Sequence, residues 1–337
     1  MLYFISLRFL NKIGKYLLGF IKLNLFKILR KMLLKHNLID VAFYEKITKK
    51  YLILKILLYP AILFNRWLCR KKDLWQMEII DNLVAMQVGE SILKLDEADG
   101  VFAVNKNSDL FMRLIREKHY EPHLMAFCKK HLDQSKDVID VGANIGFYTV
   151  MLAKNIGNQR ILAIEPTKGA LRLLRKNIEL NNVGDKVEVF DGVVSDFNGS
   201  VQIKTISGKE EFSSIGEMSH PSISDLKWEN EEVKSIKLDD LVEQKSINPG
   251  FIKIDVEGSE HLVFTGAKNI LSNFRPIILS ELNDIMLKKN GSSAKEVIDL
   301  IESFNYNVYD ATDFSTLPGS KDFGDIVCFP KEIVIDM

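Results

Sequence analysis

Between residues 138 and 282, five short apolar runs each carry an acid at or near their ends. They are "VIDVG" with Asp140, "ILAIE" with Glu165, "VEVFDG" with Asp191, "FIKIDVEG" with Asp255 and Glu257, and "IILSEL" with Glu281. A carboxylate can accept hydrogen bonds from hydroxyl or amino groups, and within hydrogen-bond reach of a hydroxyl it can also take its proton. A single acid after a strand is commonplace. Five in succession along one edge predict a cleft lined with carboxylates. Asp255 and Glu257 are the first candidates for a general base. His261 is the next, because a helix starting near Ser259 would place it in the first turn, close to the same strand end. The plainer alternative is that Asp255 fixes a turn and Glu257 complements a helix dipole.

These acids can act together only if the runs are parallel strands. Helical patterns separate the runs. Leu171, Leu174 and Ile178 share one face, closed by Gly184, and Val263, Ala267, Ile270 and Leu271 recur at helical spacing. "YNVYD" (306–310) and "DIVCF" (325–329) add two further strands. Alternating strands and helices predict an α/β fold with a largely parallel sheet covered on both faces, and ligands in such folds sit beyond the carboxyl ends of the strands. A helix is expected from Glu121–Pro122, with proline in its first turn.

The stretch "DVIDVGANIGFYT" (137–149) reads as a buried strand that breaks at glycines and resumes as a helix. A dinucleotide loop needs a middle glycine so that backbone amides can approach a pyrophosphate. Asn144 stands there instead, and no P-loop lysine follows. This disfavours an NAD-linked oxidoreductase. A ligand without phosphate, carrying an adenosine and a sulfonium, requires a close turn, a ribose acceptor and an adenine reader. Glu165 and Asp191 are placed for the last two. The loop points to S-adenosylmethionine.

From about Tyr120 to Leu282 the chain resembles the FkbM family of S-adenosylmethionine-dependent methyltransferases. The matching pieces are "YEP", "VIDVGANIGFYT", "IEP", "NIELNN", "VVSD", "FSSI", "SIKLDDL", "IKIDVEGSEHLVFTGA" and "IILSEL". The resemblance implies a Rossmann-like, seven-stranded class I methyltransferase sheet that usually transfers methyl to oxygen on sugars or natural-product hydroxyls. It also implies that Asp140, Gly142, Asn144 and Gly146 form the cofactor loop, that Glu165 holds the ribose, and that Asp191 with Val193 frames the adenine. Asp255 and Glu257 would face the sulfonium or the acceptor. Glu121, Ser213, Ser214, Lys253 and Glu281 are the expected acceptor-side residues. Lys253 lies two positions before Asp255 and should share its strand face. No metal is expected: Asp255, Glu281, Asn283 and Asp284 offer hard oxygen donors, but such acids more often line a cleft.

Outside that stretch the charge is uneven. Residues 1–72 hold 16 Lys and Arg against Asp40 and Glu45, a net +14, which leaves 29 basic and 43 acidic residues, a net −14, in the rest of the neutral chain. Large apolar residues interleave the cations, and Arg8, Lys12, Lys15 and Lys22 fall on one side of a helical wheel. No apolar stretch reaches the roughly 18–20 residues of a membrane span, and no signal-peptide cleavage site follows. Residues 1–75 are expected to be a basic amphipathic helical extension. It either lies on an anionic membrane surface or packs as a helical subdomain. So many leucines and isoleucines argue against nucleic acid.

Residues 76–337 are expected to form the methyltransferase domain, with a strand-rich lead-in over 76–120 and a hairpin-like insertion over 195–250 near the acceptor site. Cys69, Cys128 and Cys328 are scattered, which fits small buried hydrophobes in a reducing compartment. The expectation is a cytoplasmic O-methyltransferase of a sugar, glycan or related small-molecule acceptor, held peripherally at the inner membrane face if the head binds lipid. A catalytically silent, cofactor-binding adaptor is the alternative.

Overall fold

The computed structural model describes residues 89–205, 213–214, 229–315 and 323–333. The basic head (1–75) and the tip of the insertion lie outside the described residues. Among the described residues, no helix is long and apolar enough to cross a membrane.

A seven-stranded sheet organises the body. It contains β3 (Asp137–Val141), β4 (Ile161–Glu165), β5 (Val187–Asp191), β10 (Pro249–Ile254), β11 (Ile277–Asn283), β12 (Tyr306–Asp310) and β13 (Phe323–Pro330). The spatial order is β12-β13-β11-β10-β3-β4-β5. β11, β10, β3, β4 and β5 run parallel, and β13 alone is antiparallel to its neighbours. Every residue of β3, β4 and β10 is buried, which is why these strands read as continuous apolar runs instead of alternating ones. Ile139, Val141, Leu162, Ile164, Ile252, Ile254 and Ile278 build the central core. Asp137 is buried in β3 because its carboxylate accepts from the Arg160 and Asn248 amides, at 2.8 and 2.9 Å, and so ties the starts of β4 and β10 to β3. The strand order reverses between β3 and β10, which opens a crevice at the carboxyl ends of those two strands.

The helices follow in chain order: α1 (Asp109–Glu117), α2 (Pro122–His131), α3 (Phe147–Asn155), α4 (Lys168–Leu180), α5 (Leu238–Lys245), α6 (Glu260–Thr265), α7 (Asp284–Lys289) and α8 (Ala294–Ser303). The long helical pattern expected after Ser259 is split: α6 stops at Gly266 and the chain resumes as a π-turn over Ile270–Phe274. In the lead-in, β1 (Glu90–Leu95) and β2 (Gly100–Asn105) form an antiparallel hairpin. The following α1 is a helix where strands and turns were expected. Ser108 caps it by accepting from the Phe111 amide, and Phe111 and Leu114 bury one face.

The free edge of β2 is closed by side chains. Asn181 pairs with both backbone polar groups of Val101, and Asn177 pairs with both of Ala103. Two asparagines four apart on α4 thus imitate a third strand, and leave that edge no unpaired row of amides. The insertion contributes β6 (Val193–Ser195), β7 (Gly199–Thr205), β8 (Ser213–Ser214) and β9 (Glu229–Lys237), in the order β6-β9-β7-β8. β7 pairs antiparallel with both β9 and β8. Cys128 and Cys328 are free and buried.

Candidate active site

The turn after β3 is shaped by its neighbours. The Gly142 and Ala143 amides both donate to the Ile164 carbonyl at the end of β4, at 3.0 and 2.9 Å. Gly142 has φ +75°, and a Cβ there would lie 1.8 Å from the Asp255 carbonyl oxygen, so only glycine allows the turn to press against the end of β10. Asn144, with φ +49°, donates its amide to Glu165 Oε2 at 2.9 Å. The other oxygen of Glu165 accepts from the amide and hydroxyl of Thr167, at 2.9 and 2.7 Å. Three of the four lone-pair positions of this carboxylate are therefore used by the protein. Burial raises its proton affinity, and the bonds from Thr167 and Asn144 oppose that rise.

Lys253 crosses beneath this turn. Its ammonium is 3.3 Å from the Gly142 carbonyl, 3.2 Å from Asp255 Oδ2 and 3.9 Å from Asp140 Oδ1, and it sits over the Tyr148 ring. Asp140 is fully buried in β3. Thr149 donates to one of its oxygens at 2.5 Å, and the other oxygen has no hydrogen-bond partner. Burial raises the Asp140 carboxyl, and Lys253 works against that.

The opposite wall is acidic. Carboxylate oxygens of Asp255, Glu257 and Glu281 all lie within 4.8 Å of one another. Like charges this close repel unless a cation or proton is shared among them. Lys253 supplies a positive charge. The negative charge of Asp255, and then burial, raise Glu281 well above the usual carboxylate range, with Glu257 and Asp325 adding to the rise. Asp325 stands directly opposite Glu281 in the β11–β13 ladder. For Asp255, burial opposes ionisation, but Lys253 and a hydrogen bond from Glu281 outweigh it and hold the group below its ordinary value. The two carboxyls therefore act as one pair, in which Glu281 binds a proton more readily than Asp255. The Asp255 side chain is 32% exposed, so the pair opens onto solvent.

Glu121 closes one end of the cleft. It has φ +47° at the start of α2, accepts from the Tyr148 hydroxyl at 2.9 Å and pairs with Arg113 of α1 at 3.4 Å. Arg113 also stacks over Tyr120. Glu121, Asn144 and Glu257, the last with φ +53°, are non-glycine residues in the left-handed region, a conformation that seven other described non-glycine residues also adopt.

The sequence-predicted residues thus fall into groups. Asp140, Gly142, Asn144, Gly146 and Glu165 converge at the β3–β4 corner, and Asp255, Glu257, Glu281, Lys253 and Glu121 at the β3–β10 crevice. Lys253 is buried and bonded within the protein. Asp191 ends β5 in register with Glu165, but its side chain is exposed and turned to Arg175 at 3.4 Å. Val193 is buried in β6. His261 is half-buried, and among the described residues its imidazole makes no hydrogen bond or ion pair. Asn283 caps α7, and Asp284 bonds the Ala294 amide and Lys288, so both turn to local structure. Ser213 and Ser214 form β8, but their side chains lie outside the described residues. Arg113, Tyr148 and Glu260 were missed. Tyr148 lies inside "GFYT" and was open to view, whereas Arg113 carries no sequence signal.

A family model described as the methyltransferase FkbM domain matches residues 140–308, half of the chain. The chain belongs to the FkbM methyltransferase family. As a member it has S-adenosylmethionine as its cofactor. The ribosomal protein L11 methyltransferase of Thermosipho melanesiensis is 31% identical over 94 residues, which cover 25% of this chain and 36% of that relative. The chain thus spans about a third of the curated relative it matches. Among solved structures, the FkbM methyltransferase of Methylobacillus flagellatus KT is similar at a TM-score of 0.40 and 15% identity, over 76% of this chain and 60% of that one. The O-methyltransferase of Bacillus cereus, solved in complex with SAH, is similar at 0.39 and 16%, over 75% and 97%.

The residues at the β3–β4 corner fit this cofactor. Asn144 Oδ1 is buried with no partner, an acceptor left for a ligand's donor, and Glu165 keeps one lone-pair position for a hydroxyl.

Proposed function

We propose that the chain is an O-methyltransferase for a hydroxyl on a sugar, glycan or related small-molecule acceptor, with the Asp255–Glu281 pair as the proton acceptor. The convergence of three carboxylates at the strand-order switch, one of them paired with buried Lys253, carries this reading. Bound S-adenosylmethionine supplies a methyl carbon made electrophilic by its sulfonium. In this reading Gly142, Asn144, Gly146 and Glu165 hold the cofactor, and Val193 and Asp191 border its adenine end. A neutral hydroxyl is a poor nucleophile, so Asp255 accepts its hydrogen and takes the proton as the new bond to carbon forms. Glu257 and Glu121 orient the acceptor, and Ser213 and Ser214 reach it from the insertion. His261 is the second candidate for the base.

Lys253 lowers the affinity of Asp255 for a proton, and Glu281 offsets this once it ionises. Methyl transfer should therefore rise with pH as Glu281 releases its proton. Lys253, Arg113, Tyr120, Asp140, Glu257, Glu260 and Asp325 are the charged and titratable groups facing the pair, with Glu121 beside Lys253 and Tyr120. The net +14 of residues 1–72 supports a further reading, in which the head holds the enzyme to an anionic membrane surface on the cytoplasmic side. Liposome flotation of the full chain against a chain lacking residues 1–72 tests it, and equal behaviour would remove it.

The test of the main reading is transfer of labelled methyl from S-adenosylmethionine to a panel of sugar hydroxyls and matched amines, with wild type and Asp255→Asn. Hydroxyl methylation lost in the variant is expected. Methylation confined to amines, or undiminished in Asp255→Asn, would overturn it.

A further inference from the structure

Glu260 opens α6, only three residues beyond Glu257, yet its side chain turns back into the protein and is 1% exposed. An acid in the first turn of a helix ordinarily sits in solvent, where it complements the dipole. Here Oε1 accepts from the amides of Gly258 and Val256, at 3.1 and 3.4 Å, and Oε2 is buried without a partner. These two amides belong to the loop that carries Asp255 and Glu257 off the end of β10.

The outer side of that loop is pinned as well. A Cβ on Gly258 would lie 2.6 Å from Met286 Cβ and 2.8 Å from its carbonyl carbon, and Asn290 Nδ2 donates to the Gly258 carbonyl at 2.9 Å. Met286 belongs to α7, which starts directly after β11, the strand bearing Glu281. The loop is therefore wedged between Glu260 on one side and the α7 turn on the other. No other described side chain accepts from the Val256 or Gly258 amide.

We infer that Glu260 is a positioning residue that folds residues 255–258 and thereby sets Asp255 and Glu257 against Glu281. The inference rests on the reading of Asp255 and Glu281 as a proton-sharing pair given under Proposed function. Burial, with a smaller push from the charge of Asp255, raises the Glu260 carboxyl to about 7. A glutamine keeps the accepting oxygen and matches the protonated acid in shape, so Glu260→Gln should preserve the loop. Glu260→Leu removes both acceptors at similar volume, and Glu260→Asp withdraws the oxygen by one methylene.

The test uses the full chain and three readouts that need no acceptor: amide hydrogen exchange over residues 255–262, carboxyl carbon NMR titration of Glu281, and calorimetry with S-adenosylhomocysteine. In Glu260→Leu, exchange at Val256 and Gly258 should quicken about tenfold or more. The Glu281 midpoint should fall by about one pH unit or more toward the ordinary carboxylate range. Glu260→Gln should match wild type in both, and Glu260→Asp should fall between. S-adenosylhomocysteine affinity should stay within about twofold throughout, because its loop is held from β4. If Glu260→Leu does not fold, Glu260→Asp against Glu260→Gln decides the matter alone. Slow exchange and an unmoved Glu281 midpoint in the Leu or Asp variant would overturn the inference. An ordinary Glu281 midpoint in wild type would instead overturn the shared-proton reading, and the exchange data would still decide the role of Glu260.

Discussion

The β3–β4 corner and the β10–β11 corner are built from similar parts and end in opposite states. Each has a tight turn, a non-glycine residue in the left-handed region and an acid at the end of a strand. At the first corner, Glu165 takes three donors from its own surroundings, and burial is the main cause of its raised proton affinity. At the second, Asp255, Glu257 and Glu281 face one another, and their charges have to be balanced by Lys253 and a retained proton. A satisfied carboxylate makes a rigid frame that can hold a ligand. A crowded one makes a group whose proton affinity depends on its neighbours, which suits acid–base chemistry. In the function proposed above, the fold separates holding from reacting by how completely it satisfies Glu165 and how little it satisfies the Asp255–Glu281 pair.

Gly142 joins the two corners, so its substitution should have the largest effect. Gly142→Ala places a Cβ 1.8 Å from the Asp255 carbonyl and asks alanine to adopt φ +75°. A loss above about 4 kcal/mol is expected, read as a collapse of the denaturant midpoint or insoluble protein.

The next effect sharpens the second corner alone. Glu260 has its folded-state affinity raised from 4.5 to about 7, so its contribution to stability is complete below the unfolded value and lost as pH rises through the folded one. Glu260→Gln cannot ionise. Between pH 5 and pH 8 its stability should gain on wild type by on the order of 3 kcal/mol, followed by denaturant unfolding at each pH. A gap that does not change with pH would show that the carboxyl is not held in its neutral form.

Asp255→Asn removes the ionised member of the pair without changing its shape. Methyl transfer should drop about 100-fold or more in kcat, and the denaturant midpoint should fall as well, because buried Lys253 loses its nearest carboxylate. Tyr148→Phe is the mildest probe, since it deletes only the hydroxyl that donates to Glu121. A loss of about 1 kcal/mol is expected, seen as a shift of a few degrees in Tm.

The contrast also explains what could be read in the sequence. Strands β3, β4 and β10 were legible because burial on both faces leaves mostly apolar runs between turn residues, whereas β5 and β11 are only partly buried and were marked by their turn residues. The Asn144–Glu165 corner was legible because its parts lie in two short motifs whose spacing the β-α-β path fixes. Lys253 beside Asp255 followed from the two-residue strand period. The helix α1 was not anticipated, since strand-like residues surround it and its cap lies in a turn-rich stretch. Contacts such as Tyr148 with Glu121 or Asn290 with Gly258 join separate elements, 27 and 32 residues apart, and no local pattern announces them. The orientation of Asp191 was equally hidden, because whether a strand-end acid faces a cleft or a neighbouring arginine depends on the helix packed beside it.

The division between the two corners is tested most directly by calorimetric titration of S-adenosylhomocysteine into wild type, Glu165→Ala and Asp255→Asn. The expected result is tight binding to wild type and Asp255→Asn, with at least about tenfold weaker binding to Glu165→Ala. Retention by Glu165→Ala together with loss in Asp255→Asn would contradict it, placing the cofactor on the acidic corner instead.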